Sequence, residues 1–477
     1  MLAEHFGFVN FKPTQELVIK AAINKQSTLT LMPTGSGKSL CYQFMTFLQP
    51  KNETVLVISP LIALMQDQVD KAKELGLKAA TLNSLMTQEQ RDIILKEFAS
   101  NKIQILFVTP ERFKKSNFLE ALKNAKISLF VVDEAHCISL WGHDFRPEYS
   151  QLAQFIKLCG SPPVMALTAT ATTVVQKEIC EKLNLQFPDS VIRGGIKRNN
   201  LKLSVIETYG QREKFEALYQ KLVSFQSSSG IIYFSLIQTL ENFSKFLAQK
   251  KQQHTKYHGD LLAHQRRHNQ KVFIKNEMNL MLATPAFGLG IDKPNVRFVF
   301  HTEIPSTIES YYQEIGRAGR DGLKSNCVLF YDQEDVSIQM QFLDWAYPDE
   351  NFIRKVYDLI ETHPDKVSIQ GTDFLREQMV FKNKKDFRVN SAVSILYRWR
   401  FLKEASTPFG FQIDEPLTED FFRLENQSIL KKEHQKKLLE MLRWTIELNE
   451  CRLALIYKYF GLENEDPCLQ CDNCLRN

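Results

Sequence analysis

The sequence contains no apolar run of transmembrane length, and its opening residues Met1-Leu2-Ala3-Glu4-His5 lack the basic start of a secretory signal. No membrane partner is therefore expected, and the chain reads as intracellular, cytoplasmic or nucleoid-associated if bacterial. Low-complexity tracts and short-period repeats are missing as well, so nothing marks a disordered or repeat-built chain. Charge of one sign is scarce: 60 Lys and Arg against 55 Asp and Glu leave a net +5. That balance permits a polyanionic partner without demanding one, so nucleic-acid binding must be argued from local features. Cysteine is thinly spread over most of the chain. Cys41, Cys137, Cys159, Cys180 and Cys327 stand apart and read as small core residues.

What is present is ordinary in bulk and specific in detail. At 477 residues, 44% hydrophobic and 24% charged, the chain has room for about three domains, each with its own core. Apolar β-prone runs alternate with helical stretches twice over, which predicts two α/β halves built on mainly parallel sheets. The most informative stretch is Met32-Pro33-Thr34-Gly35-Ser36-Gly37-Lys38-Ser39, between the β-prone Ser27–Thr30 and the apolar Leu40–Leu48. Strand, glycine loop, Gly-Lys-Ser and helix form a phosphate-binding pattern. Gly35 and Gly37 let the backbone aim its N–H groups at phosphate oxygens, and Thr34 and Ser36 complete the cradle. Lys38 sets an ammonium near the β- and γ-phosphates of ATP, and the Ser39 hydroxyl can ligate Mg²⁺. The strict pattern asks for glycine where this sequence has Met32. Upstream, the amide of Gln15 can pair with adenine N6 and N7, although alone it reads as an exposed helical glutamine.

Two runs, Thr54–Pro60 and Ile103–Arg112, read as buried strands ending in hydroxyl–proline pairs. Ligands collect at such strand ends in open α/β sheets, so Ser59, Thr109 and Arg112 are candidates for nucleic-acid phosphates. Ser128–Val132 is a third such strand and delivers two adjacent acids. Asp133 can hold Mg²⁺ through water, and Glu134 can orient and activate the attacking water. Two acids on an apolar strand are costly unless a cation or water shares the site. Next comes a loop crowded with Trp141, His143, Phe145 and Arg146, suited to stacking on unpaired bases or else to packing inward. Thr168 and Thr170 end a further strand and could link the nucleotide site to the strand-binding face.

The apolar pattern breaks near 189–200, around Arg198-Asn199-Asn200, and then resumes. Lys245–Lys275 is rich in basic residues and faces either phosphates or solvent. Leu282–Asp292 places Thr284 and Asp292 on a glycine-containing turn, as candidate nucleic-acid and nucleotide contacts respectively. In Tyr311–Arg320, Gln313 precedes Arg317 and Arg320, two arginines three apart that share a face on a helical turn. Aimed across a cleft at ATP, one of them would stabilise charge developing on the γ-phosphate. Such a residue is worth roughly 10³–10⁵ in rate in GTPase examples.

At the C-terminus, Cys451, Cys468, Cys471 and Cys474 have the spacing of a closed tetrahedral Zn²⁺ site, with the first on a helix. Disulfides are the poorer explanation in an intracellular protein. Between the second half and these cysteines, Phe352–Thr362, Asp373–Phe381 and Ser391–Leu402 read as helices, and Glu404–Asp414 as a β-wing. This segment is either winged-helix-like, with Arg398, Trp399 and Arg400 toward duplex phosphates, or a plain helical spacer. Glu425–Glu450 reads as one long helix leading to Cys451, with Lys431, Lys432, Lys436 and Lys437 on a basic face.

Residues 1–335 resemble the RecQ family of DNA helicases, within the two-lobed helicase superfamily 2. The match is carried by 32–39, by Asp-Glu-Ala-His at 133–136 with its 141–146 loop, and by Gln-Glu-Ile-Gly-Arg-Ala-Gly-Arg-Asp-Gly at 313–322. Phe11-Lys12-x-x-Gln15 is similar to that family's adenine-reading motif, with Lys12 where arginine is usual. Cys451–Cys474, with Tyr459-Phe460-Gly461, resembles the family's zinc element. The resemblance implies two RecA-like lobes and ATP-driven 3′→5′ unwinding of single-stranded and tailed duplex DNA in repair or recombination. It also implies an aromatic loop coupling strand binding to hydrolysis, with Arg320 as the likelier arginine finger. The expected domains are 1–197, 198–335, an accessory segment 336–424 and a zinc-binding hairpin 425–477. In the family the zinc element usually follows the second lobe closely, with a winged helix after it; here a segment intervenes, and nothing further is expected beyond Cys474. An RNA helicase of related fold and an annealing protein with vestigial ATPase are the rival expectations. Protein partners are not indicated.

Overall fold

Strands such as Thr54–Ile58 and Ile127–Val132 are β-branched, aromatic and apolar at successive positions, which suits a parallel sheet covered on both faces. The computed structural model describes residues 1–476 except 61, 84–85, 140–148, 150, 195–196, 289–292, 380–385, 400, 405–410, 425–426 and 463–465. The chain forms two compact units, one of Met1–Glu303, Ile308–Tyr331 and Ile446–Asn477, the other of Ile304–Thr307 and Asp332–Thr445.

The first unit holds both lobes. Lobe 1 has seven strands: β1 Thr28–Leu31, β2 Thr54–Ile58, β3 Ala79–Leu82, β4 Ile105–Val108, β5 Ile127–Val132, β6 Val164–Thr168 and β7 Val191–Arg193. Their order is β3-β4-β2-β5-β6-β1-β7, and every pairing is parallel. Alternate residues supply separate cores on the two faces. Leu56, Ile58, Phe130 and Val132 lie in one cluster; Val55, Val57, Leu129 and Val131 lie in the other. Because the strands run in one direction, the ends of β1, β5 and β6 lie along one edge of the sheet. Leu31 there stands opposite Thr168 in register, and Val132 opposite Ala166.

Lobe 2 repeats the design with β8 Leu201–Glu207, β9 Ser229–Tyr233, β10 Thr255–Tyr257, β11 Leu280–Ala283, β12 Val296–His301 and β13 Ser325–Tyr331. The order is β10-β11-β9-β12-β13-β8, again all parallel. Two RecA-like parallel sheets are therefore present, as the alternating pattern predicts.

In the second unit, the helices are Asp335–Ala346, Glu350–Thr362, Pro364–Gln370, Thr372–Met379, Arg388–Arg398, Glu419–Leu424 and Gln427–Ile446. β14 Leu402–Glu404 pairs antiparallel with β15 Phe411–Ile413, and Phe352, Val356, Leu375, Leu396 and Phe421 share one core. The three predicted helices and the predicted wing appear with shifted bounds, and Pro364–Gln370 is an additional helix. The long helix Gln427–Ile446 lies beside Asp335–Ala346 through Lys431 Nζ to Asp344 (2.7 Å). The helical and hairpin segment is thus inserted between two neighbouring helices. Arg400 and Pro408-Phe409-Gly410 lie outside the described residues.

Candidate nucleotide site and zinc centre

The phosphate loop is shaped by its glycines. Gly35 and Gly37 take positive φ, +78° and +87°, and Gly37 caps the Lys38–Leu48 helix. Met32 explains its own departure from the strict pattern. It continues the β1 ladder, its N–H bonding Thr168 O at 2.8 Å, and its side chain is buried in the core. A glycine is not needed there.

Gln15 corrects an expectation. It is 4% exposed rather than a surface residue. Its amide donates to the carbonyls of Ser36 (3.0 Å) and Gly37 (3.3 Å), while its Oε1 accepts from Lys12 N at 2.9 Å. The glutamine therefore braces the loop from beneath. Lys12 lines the cleft alongside Thr34, Gly35 and Ser36.

The β5 end brings the two acids to the lysine. Lys38 Nζ stands 3.3 Å from Glu134 Oε1, and Glu134 N–H donates to Asp133 Oδ1 at 3.0 Å. Burial first, then the neighbouring Glu134 carboxylate, push Asp133 up to about 6, against the pull of Lys38. Above that pH the fold carries an ionised, buried carboxylate at a cost that a divalent cation would offset. The acid pair therefore fits a Mg²⁺ site. From Glu134 a polar chain crosses the sheet edge: His136 Nδ1 contacts Glu134 Oε2 (3.4 Å) and Thr168 Oγ1 (2.9 Å). Thr168 Oγ1 accepts from Thr170 N at 3.3 Å, and Thr170 Oγ1 accepts from Gln313 of lobe 2 at 3.0 Å.

The two arginines part company. Arg317 is buried and donates to the Gly288 carbonyl inside lobe 2. Arg320 instead lies over the phosphate loop, where a Cβ on Gly35 would come 2.8 Å from its Cγ. Loop and turn line one cleft of about 250 Å³.

Other predicted residues divide. Ser59, Thr109 and Thr284 follow β2, β4 and β11 at the strand ends, and all three are buried. Arg112 donates to the carbonyl of Asn83. Trp141, His143, Phe145, Arg146 and Asp292 lie outside the described residues.

The four C-terminal cysteines converge, their sulfurs within 4.8 Å of one another. Tetrahedral Zn–S bonds of about 2.3 Å require sulfurs about 3.8 Å apart, and Cys468 and Cys474 stand at 4.0 Å. Backbone amides already point at them: Cys468 N to Cys451 Sγ (3.2 Å), Cys471 N to Cys468 Sγ (3.3 Å) and Cys474 N to Cys471 Sγ (3.4 Å). The hydrogen bond from Cys468 holds the Cys451 thiol below its ordinary value, favouring the thiolate that a metal ligand must be. The donor set fits Zn²⁺. The long helix expected to reach Glu450 ends earlier, at Ile446, and Cys451 stands at the start of the next helix, Arg452–Tyr459. Glu447 Oε1 accepts from the amides of Leu448 (3.0 Å) and Asn449 (2.7 Å). Asp472, between two ligands, accepts from Arg452 (2.5 and 3.0 Å) and from Val205 N of the edge strand β8 (3.0 Å). Stripping the metal with a strong chelator is expected to release about one zinc per chain. Amide exchange should then rise first across 447–476. Finding no bound metal in purified protein would remove the assignment.

A phosphate loop faced across a cleft by an arginine-bearing turn, on paired parallel-sheet lobes, is the arrangement of the two-lobed helicase fold. Family models agree: residues 12–178 match DEAD/DEAH box helicase, 213–322 the Helicase conserved C-terminal domain, and 411–475 RecQ zinc-binding. ATP-dependent DNA helicase RecQ of Bacillus subtilis is 38% identical over 352 residues, 73% of this chain and 58% of that one. RecQ of Haemophilus influenzae is 41% identical, covering 70% and 53%. Probable ATP-dependent DNA helicase RecS of B. subtilis is 39% identical, covering 72% and 68%. The chain belongs to the RecQ family of helicases. It spans little more than half the length of the two RecQ relatives. Among solved structures, S. cerevisiae Dbp5 bound to RNA and ADP BeF3 shares the fold at TM-score 0.56 and 18% identity, over 70% of this chain and 88% of that one. Mycobacterium smegmatis Lhr bound to ssDNA and AMP-PNP does so at 0.57 and 19%, over 87% and 60%. No described helix is long and apolar enough to cross a membrane.

Sequence reasoning did not single out Arg198, Tyr457, Arg452 or Asp472. The one available signal is the break at Arg198-Asn199-Asn200, which in sequence reads as a boundary.

Proposed function

We propose that the chain is an ATP-dependent 3′→5′ DNA helicase of the RecQ type that translocates on single-stranded DNA and opens tailed duplexes in repair or recombination. The observation that carries this is Arg320 lying over Gly35, with Gln313 bonded to Thr170 from the same helix end. In this account the amides around Gly35 and Gly37, with Lys38, hold the triphosphate; Lys12 faces the adenine, and Gln15 meets it by exchanging its bonds to Ser36 O and Gly37 O for the base. Ser39 and Asp133 would hold Mg²⁺, which supplies charge neutralisation on the β- and γ-phosphates when bound. Glu134 orients the attacking water and takes its proton, once Lys38 turns from it toward phosphate. Arg320 meets the developing charge from lobe 2. The chain Glu134–His136–Thr168–Thr170–Gln313 then gives lobe 2 a polar contact that senses the acid's state. Ser59, Thr109, Arg112 and Thr284, with the 141–146 loop, are proposed to meet the DNA strand along the strand ends. Because Ser59, Thr109 and Thr284 are buried, nucleic acid would engage the local backbone there as well as these side chains.

ATPase rates with single-stranded DNA and with RNA of equal length test the substrate class, at fixed salt. DNA is expected to stimulate at least about tenfold more than RNA, and unwinding should require a 3′ tail. Equal stimulation, or preference for RNA, would transfer the proposal to an RNA helicase.

A further inference from the structure

Arg198 sits on the connection between β7 and β8, and its guanidinium meets four backbone carbonyls. Nη1 donates to Thr34 O (3.3 Å) in the phosphate loop and to Gly316 O (3.2 Å). Nη2 donates to Ala318 O (2.5 Å) and Gly319 O (3.0 Å). The last three carbonyls follow the C-terminus of the Ile308–Ile315 helix, where unpaired carbonyls and the helix dipole favour a cation. Asn200 adds bonds to Gly319 O (2.8 Å) and Leu323 O (3.0 Å), closing the turn on its far side. Arg320 lies between these anchored carbonyls. The Arg198 amide in turn donates to the Tyr457 hydroxyl (2.6 Å), on the helix capped by the ligand Cys451.

We propose that Arg198 is a positioning residue for ATP hydrolysis: it fixes the 316–319 backbone against the phosphate loop so that Arg320 is presented to the γ-phosphate, with Tyr457 setting where Arg198 stands. This rests on the assignment of Arg320 as the arginine finger. A lysine ammonium carries three donors on a single nitrogen and so cannot meet all four carbonyls that Nη1 and Nη2 divide between them. Removing it leaves several carbonyls without their donor and frees the turn to shift, and a shift of about 1 Å can cost about 10²-fold in rate.

The test measures kcat and KM for ATP at saturating DNA, with melting temperature, for Arg198→Ala, Arg198→Lys, Tyr457→Phe, Arg320→Ala and Arg198→Ala/Arg320→Ala. Arg198→Ala should lower kcat roughly 10- to 100-fold with KM within about threefold. Arg198→Lys, which serves if the alanine variant fails to fold, should remain at least about fivefold slow, and Tyr457→Phe should be slow to a lesser degree. The double variant should be no slower than Arg320→Ala, since one acts through the other. Wild-type kcat in both Arg198 variants, or losses that multiply in the double, would overturn the proposal. A slow Arg320→Ala beside a normal Arg198→Ala defeats this inference alone. A normal Arg320→Ala defeats the finger assignment and this inference with it.

Discussion

Lys38→Ala is expected to lower kcat for DNA-stimulated ATP hydrolysis by about 10²–10³-fold, the loss of roughly 2.7–4 kcal/mol of transition-state stabilisation. The ammonium stands at the N-terminus of the Lys38–Leu48 helix, 3.3 Å from Glu134, on a loop whose glycines adopt conformations that other residues resist. In the nucleotide-free protein it therefore compensates an acid, and with nucleotide it serves the phosphates. Alanine removes both services. The pair is only 13% and 17% exposed, so alanine also leaves the two acids without their cation, and the thermal transition is expected to fall while the chain still folds. Wild-type turnover in this variant would refute the assignment of residues 32–39. Collapse of the fold would show instead that the pair is structural.

The site was legible in sequence wherever chemistry is local. Phosphate cradle, paired acids and the three cysteines Cys468, Cys471 and Cys474 each lie within a few residues, so spacing alone brought them together. Strands were legible for a related reason: runs such as Val55–Ile58 are buried on both faces, leaving no polar alternation to mislead. What depended on distant partners was not legible. The carbonyls that receive Arg198 lie 118 to 164 residues away, and no local pattern marks an arginine that serves backbone. Gln15 looked exposed because its burial comes from Ser36 and Gly37, 21 and 22 residues further on. Arg317 and Arg320 share a helical spacing, yet the chain turns after Ile315, and their side chains go to Gly288 and to Gly35 respectively. The long helix expected to run to Glu450 stops at Ile446, where the Glu447 carboxylate bonds the amides beyond it.

Asp335–Ala346 and Gln427–Ile446 flank the segment that separates lobe 2 from the cysteines along the chain. It is a helical unit with a short hairpin and its own core, and it lengthens the chain between two helices that remain neighbours. Such an insertion is tolerated because ends held close together cost little more entropy as a loop grows.

The central claim is that hydrolysis needs a guanidinium from one lobe at a nucleotide held by the other. Arg320→Ala tests it most directly, through kcat and KM for ATP at saturating single-stranded DNA. The account predicts a fall in kcat of roughly 10³-fold, with KM and nucleotide affinity within a few-fold of wild type. Unchanged kcat, or a raised KM with normal kcat, would mean that Arg320 assists binding alone, and the two-lobed motor described here would be contradicted.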